Sequence, residues 1–124
     1  MSATKKISLI LLVVLYLVAG SNHFRNAPAY ISMIPPYFPA PEVLNTLAGI
    51  SEILFGLMLI LKKTRTYAVY GIILMLLVFT TVHIYMIQIA PFKLGNFTVS
   101  KTAAWIRLPL QLVLITWAYW HRED

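Results

Sequence analysis

Cysteine is absent from the chain, and charge is scarce: 11% of its 124 residues are Asp, Glu, Lys or Arg. The first absence rules out a disulfide, a thiolate nucleophile and any cysteine-ligated metal or iron–sulfur cluster. A redox role would therefore need a bound cofactor or a partner protein. The second absence rules out an ordinary soluble domain, whose surface needs more charge than this sequence has. Close metal-ligand spacings such as H-x-x-x-H or E-x-x-H are also missing, and nothing resembles a haem or flavin motif. What fills the chain instead is apolar, with 60% hydrophobic residues and a mean hydropathy of +0.78.

At about 20 apolar residues per crossing, four spans and their short loops use the whole length. The runs extend from about Ile7 to Phe24, Val43 to Leu61, Tyr67 to Ala90 and Thr102 to Trp120. Residues 1–124 thus read as one all-α transmembrane domain, a four-helix integral membrane bundle. Lys62, Lys63 and Arg65 separate the second and third runs, while Pro91, Lys93, Gly95 and Asn96 close the third. Lys5-Lys6, an apolar stretch and Ala19-Gly20-Ser21 also fit a signal peptide; the expectation is a retained helix.

The net charge of +6 does not point to nucleic acid, because the basic residues fall between apolar runs and make no patch on a folded face. They read as topology signals. Lys5, Lys6, Lys62, Lys63, Arg65 and Arg122 lie on one side, Arg25, Lys93 and Lys101 on the other. The positive-inside rule then gives a multi-pass protein of the cytoplasmic (inner) membrane with both termini in the cytoplasm. Membrane lipid is its first partner, and a homo-oligomer is compatible with the pattern.

The first external loop holds Pro28, Pro35, Pro36, Pro39 and Pro41 among Tyr30, Met33, Ile34 and Phe38. Proline blocks a regular helix and biases the preceding residue toward extended backbone. An apolar, proline-stiffened segment is expected to lie on the membrane surface or to fold as a lid over the outer mouth of the bundle.

Four ionisable side chains sit in or beside the apolar runs: His23, Glu52, His83 and Arg107. A charge at such depth costs a few kcal/mol, so it normally pairs, lines a cavity or carries function. At about 1.5 Å per residue, His83 lies roughly 24 Å from the inner end of its run, and Glu52 about 14 Å from the outer end of its own. By the same rise Arg107 lies about 8 Å and Gln111 about 14 Å below the outer end of the fourth run. His23 closes the first run. All five share the outer half of the membrane, and the inner half shows no comparable set. Gly49, Glu52 and Gly56 share a small-residue face suited to close helix approach. Tyr16, Gly20 and His23 share another. Glu52 and Arg107 are expected to meet, directly or through a water or ligand, with His83 in the same cavity. Pro109 is expected to kink the fourth helix.

Arg, Gln and His donors suit the carbonyls of a quinone or an oxyanion, and a Glu–His pair can exchange protons with it. A metal site is disfavoured because Arg107 opposes a bound cation. Transport ranks lower, since four short helices leave little room for a water-filled path.

Ala19-Gly20-Ser21-Asn22-His23-Phe24, the proline segment Ile34 to Pro39, and Gly49 through Glu52 to Gly56 together resemble the DoxX family of four-helix membrane proteins. His83-Ile84-Tyr85-Met86 and Arg107-Leu108-Pro109-Leu110-Gln111 are similar to its third and fourth helices. The resemblance covers the whole chain and implies a four-helix bundle with His23, Glu52, His83, Arg107 and Gln111 in its polar core. Members are variously linked to quinol oxidation of sulfur compounds, to thiol and oxidative-stress complexes and to quinone resistance. The resemblance also implies a place beside a redox partner protein, although direct thiol chemistry is set aside by the missing cysteine.

The expectation is thus an outer-side intramembrane pocket for a quinone-like, or other small amphipathic or anionic, ligand. His23, Glu52, His83, Arg107, Gln111 and Asn22 are its candidate ligand-binding residues. Quinone or quinol is the expected cofactor, with no haem, flavin, iron–sulfur cluster or metal. The competing reading is a non-catalytic membrane scaffold or assembly chaperone whose polar layer only fixes helix packing. Enzymatic activity is left open.

Overall fold

The computed structural model describes residues 1–94 and 96–124. Five helices carry the fold: α1 (Ala3–Arg25), α2 (Ala27–Ser32), α3 (Pro41–Met58), α4 (Lys62–Ile89) and α5 (Lys101–Trp120). A two-stranded antiparallel hairpin, β1 (Phe92–Leu94) and β2 (Phe97–Val99), joins α4 to α5, with Lys93 opposite Thr98. That hairpin corrects the all-α expectation. Gly95, expected among the breakers after the third run, lies outside the described residues.

The helices run past the apolar runs that predicted them, because hydropathy marks where lysine begins and not where helix ends. Lysine and arginine are good helix formers, so α4 begins directly at Lys62 rather than at Tyr67. In turn α3 stops at Met58 rather than Leu61. The three-residue link is held from α4: Thr64 Oγ1 donates to the Met58 carbonyl at 2.7 Å, and Arg65 donates to those of Leu59 (2.7 Å) and Ile60 (3.0 Å). Ser2 and Ser100 cap α1 and α5 by accepting from Lys5 N and Ala103 N. The proline-rich loop is more regular than expected. Pro28 sits in the first turn of α2, where a missing N–H costs nothing, and Ala40 at φ 47° turns the chain into α3. Pro109 lies inside α5, which stays helical on both sides of it.

Two of these helices, α1 and α4, are long and apolar enough to cross a membrane. Of the four spans expected, that is the number shown.

Helix α1 packs along α3 and α5 along α4, with α3 and α4 joining the two pairs. At the α1/α3 crossing, a Cβ on Gly20 would sit 2.9 Å from the Gly49 carbonyl oxygen and 3.0 Å from Ile53 N. The two backbones touch there, as the small-residue face of α3 suggested. The main core lies nearer the chain ends, built from Leu12, Leu59, Val69, Ile72 and Ala118 among others. A smaller cluster of Met86, Ile87, Ala90 and Ala104 closes the hairpin end.

A second polar set, which drew no expectation from the sequence, lies at the end of the bundle that holds both chain ends. Trp117 Nε1 donates to Ser8 Oγ (2.8 Å), which lies 2.9 Å from His121 Nε2. His121 Nδ1 lies 2.6 Å from Asp124 Oδ2, and the same carboxylate pairs with Lys5 at 3.0 Å. Arg65 Nη1 donates to the Asp124 main-chain oxygen at 2.7 Å. This latch ties the two ends of the chain together, and His121 at its centre is fully buried. Arg65 reads as a topology signal in sequence and Ser8, His121 and Asp124 carry no signal there, because the latch joins residues far apart in the chain.

Two outcomes are expected. Gly20→Val should lower stability by about 1–3 kcal/mol, as overpacking does. Gly56→Ala should be close to neutral, since its new Cβ meets only the flexible Leu17 tip at 3.2 Å and Tyr16 Cβ at 3.4 Å. Thermal unfolding of the purified variants decides, and equal melting of Gly20→Val and wild type would refute the close crossing. The second concerns pH. Burial alone would raise the Asp124 carboxyl, but its hydrogen bonds to Lys5 and His121 outweigh that and hold it below the usual range. A carboxyl depressed in the folded state adds stability that is complete above its unfolded value of about 3.9 and is lost as pH falls through the lower folded value. Asp124→Asn should therefore destabilise at pH 7 and flatten the acid limb of a stability–pH curve; an unchanged acid limb would show that the latch carries no such linkage.

Candidate functional site

Between the two helix pairs lies a cavity of about 710 Å³. Its walls are mostly apolar, and His23, Glu52, His83 and Arg107 stand in them together. Asn45 joins them from α3, while Tyr30, Met33, Ile34 and Phe38 cover the outer side from α2 and the loop that follows. The proline-stiffened segment therefore takes the lid position.

The α1/α3 wall is built by the glycine crossing. Asn45, Gly49, Glu52 and Gly56 form the buried face of α3, and Tyr16, Gly20 and His23 lie on the buried face of α1. Contact at Gly20 and Gly49 brings the two polar ends together. Asn45 Nδ2 donates to the His23 main-chain oxygen at 2.9 Å, which turns its Oδ1 toward His23 Nδ1 at 2.8 Å. Oδ1 only accepts, so Nδ1 carries a hydrogen. The other ring nitrogen, Nε2, faces Glu52 Oε2 at 3.3 Å. With Nδ1 already protonated, that contact is attractive only if the pair holds one more proton, as imidazolium and carboxylate or as imidazole and carboxylic acid. Glu52 is 6% exposed, and its Oε2 has no aligned hydrogen bond. Tyr30 stacks on the His23 ring, with centroids 4.3 Å apart.

The opposite wall comes from α4 and α5. Gln111 Nε2 donates to the Leu76 carbonyl at 2.9 Å, which directs its Oε1 to accept from Arg107 Nη1 at 2.8 Å. Among the described residues this is the one hydrogen bond that Arg107 makes, out of five N–H donors on a guanidinium. His83 stands beside it in the wall with Nδ1 buried and unpartnered. Tyr16 completes the region. Its hydroxyl is buried without a partner and lies in electrostatic range of both Glu52 and Arg107.

Three expectations need correction. Glu52, Arg107 and His83 face one cavity, and only the direct form of the Glu52–Arg107 contact is corrected: among the described residues no direct ion pair joins them, and Glu52 pairs with His23 and Arg107 with Gln111. Helix rise supplies depth but not azimuth, and α5 belongs to the other helix pair. Gln111 does not line the cavity; it stands behind Arg107 and aims it. Asn22 is outside the wall as well, one residue round the helix from His23. Sequence reasoning missed Asn45 and passed over Tyr16. The signal for Asn45 was present, since Asn45, Gly49 and Glu52 follow i, i+4, i+7 on one face.

A family model described as "Domain of unknown function (DUF8561)" matches residues 12–122, and the chain belongs to that family. This overturns the DoxX resemblance. The glycines of its short pieces, such as Gly49 and Gly56, are what close helix crossings in an apolar bundle commonly use. No curated protein and no solved structure matches the chain.

Two double-mutant cycles follow from the pairing. His23→Ala with Glu52→Gln should show a coupling of about 0.5–3 kcal/mol, as groups in contact do. Glu52→Gln with Arg107→Gln should come out nearer to additive. Stronger coupling in the second cycle than in the first would reverse the assignment of partners.

Proposed function

We propose that this member of the DUF8561 family binds a small amphipathic molecule with an oxygen-acceptor head, a quinone or quinol, in the cavity between its two helix pairs. Arg107 carries the reading. Held at one nitrogen by Gln111, it lines a mostly apolar cavity in which no acid among the described residues forms an ion pair with it. A half-buried cationic fork with free N–H groups suits a carbonyl or oxyanion oxygen. His83 offers a second polar atom beside it, and the proton held between His23 and Glu52 can pass to or from a reducible head.

The membrane setting is part of the proposal. Helices α1, α3, α4 and α5 all cross, with both termini in the cytoplasm of an inner-membrane protein and the cavity in the outer half. Two observations support this. Large apolar side chains stand exposed on all four, Ile10, Leu54, Leu77 and Leu112 among them, far more than a water-soluble monomer presents. The Lys5–Asp124 ion pair also holds both chain ends together, which requires an even number of crossings. At about 1.5 Å per residue, α4 is about 42 Å long and exceeds a hydrocarbon core of about 30 Å, so its Lys62–Arg65 end stands in the headgroup layer.

The test is quinone binding by purified protein, followed by absorbance or fluorescence. Arg107→Gln should weaken binding roughly 10- to 100-fold, the range of a hydrogen bond to a charged group. Gln111→Leu should weaken it less, by letting the guanidinium swing. His83→Gln should keep the fold and weaken binding. No quinone binding by the wild type would leave the polar layer as a device for helix packing and favour the scaffold reading.

A further inference from the structure

The cavity has a second property, independent of its polar end: it opens sideways. Its lower limit is the contact between α3 and α4, where a Cβ on Gly71 would fall 2.6 Å from the Phe55 ring tip, so ring and backbone are already in contact. Above that point the two helices do not share a packed cluster. The outer part of α4 packs instead with Ala104 and Leu108 of α5, and with Met33, Phe92 and Val99. The outer part of α3 packs on α1 through Gly49. Each helix follows its own partner, and a slot is left between them.

Leu47 of α3 and Leu74 and Val78 of α4 line the cavity, yet they are 54%, 65% and 55% exposed. The wall of a closed chamber would be hidden, so these three stand at a mouth. Tyr30, Met33, Ile34 and Phe38 cover the outer side, and the mouth faces the flank of the bundle. Its three exposed rim residues are apolar, while Arg107, His83 and Glu52 line the same cavity. A slot with an apolar rim that leads to a cationic fork matches a molecule with a polar head and a hydrocarbon tail.

Resting on the quinone reading above, we infer that the ligand is lipid-tailed and comes from the bilayer. Its head lies at Arg107 and its chain leaves through the α3/α4 slot across Leu47, Leu74 and Val78. Burial of the first few methylenes in the slot adds to affinity, at about 0.8 kcal/mol for each CH₂ removed from water, and less when the comparison is with lipid. The slot therefore acts mainly as a passage and a tail guide, while the head supplies recognition.

The test compares a benzoquinone bearing a decyl chain with the same ring lacking the chain, both titrated into protein in phospholipid nanodiscs. Concentrations are expressed per membrane lipid, so that partitioning does not masquerade as binding. Val78→Trp and Leu74→Trp put bulk into the mouth at exposed positions, and Leu112→Trp, on exposed α5 surface outside the cavity wall, is the control. Each mouth variant should weaken the decyl quinone severalfold, because the indole blocks the path of the tail and head and tail can no longer be seated together, and should leave the chainless ring unchanged. The control should change neither. A photoreactive group at the chain end should label the stretch around Leu47, Leu74 or Val78 in the unaltered protein, a readout that holds even if a tryptophan variant misfolds. If both quinones bind and the mouth variants affect neither, or both equally, the slot inference is overturned while the pocket stands. Labelling confined to other segments overturns it too. If neither quinone binds the wild type, the pocket reading fails first and the slot inference with it.

Discussion

The backbone contact between Gly20 and Gly49 is the constraint on which the rest of the polar architecture depends. Helices carrying larger residues at that crossing would stand farther apart, at ordinary interaxial distances of about 8–10 Å. Asn45 would then lose its reach to both the main chain and the ring of His23, and Glu52 would face His23 across a gap. A buried carboxylate without a partner is among the most expensive features a fold can hold. Close approach is therefore what makes Glu52 tolerable at 6% exposure. It also explains why the two groups must share a proton: the crossing orients Asn45, Asn45 orients the ring, and the ring then presents its second nitrogen to the carboxylate.

The second wall solves the same problem differently. Arg107 has no acid to neutralise it among the described residues, and its charge is met by a neutral amide that is itself anchored on a helix carbonyl. An amide satisfies one donor and leaves the others free, which is a poor solution for stability and a good one for a ligand. The asymmetry between the walls, one with its acid and base facing each other and one with an unpaired cation, is what assigns the head of a ligand to the Arg107 side. The walls belong to separate helix pairs, and the cavity lies between them.

At the other end of the molecule the chain spends its remaining polar groups on closure. Arg65 takes carbonyls from the α3–α4 link and from Asp124, while His121 sits between Ser8 and the Asp124 carboxylate. Ser8, His121 and Asp124 fall in the order of a hydrolytic triad, but Ser8 already accepts from Trp117 and the imidazole is fully buried. The arrangement holds α1, α4 and α5 in register below the cavity. It is a structural clasp whose parts come from both ends of the sequence.

By itself the sequence determined the four long helices, the common level of the ionisable residues along them and the small-residue faces, because these follow from composition, from a rise of about 1.5 Å per residue and from helical periodicity. Four of its six candidate residues stand in one cavity for that reason. Tertiary structure alone decided who pairs with whom. Azimuth around a helix and the choice of neighbouring helix are properties of packing, so Glu52 turned to His23 and not to Arg107, and Gln111 moved from the wall to a position behind it. The clasp at Ser8, Arg65, His121 and Asp124 was illegible for the same reason: its members are far apart in the chain and are joined only once α1, α4 and α5 lie together. Family kinship could not be read from short motifs either, since small residues at a close crossing recur wherever two helices approach closely.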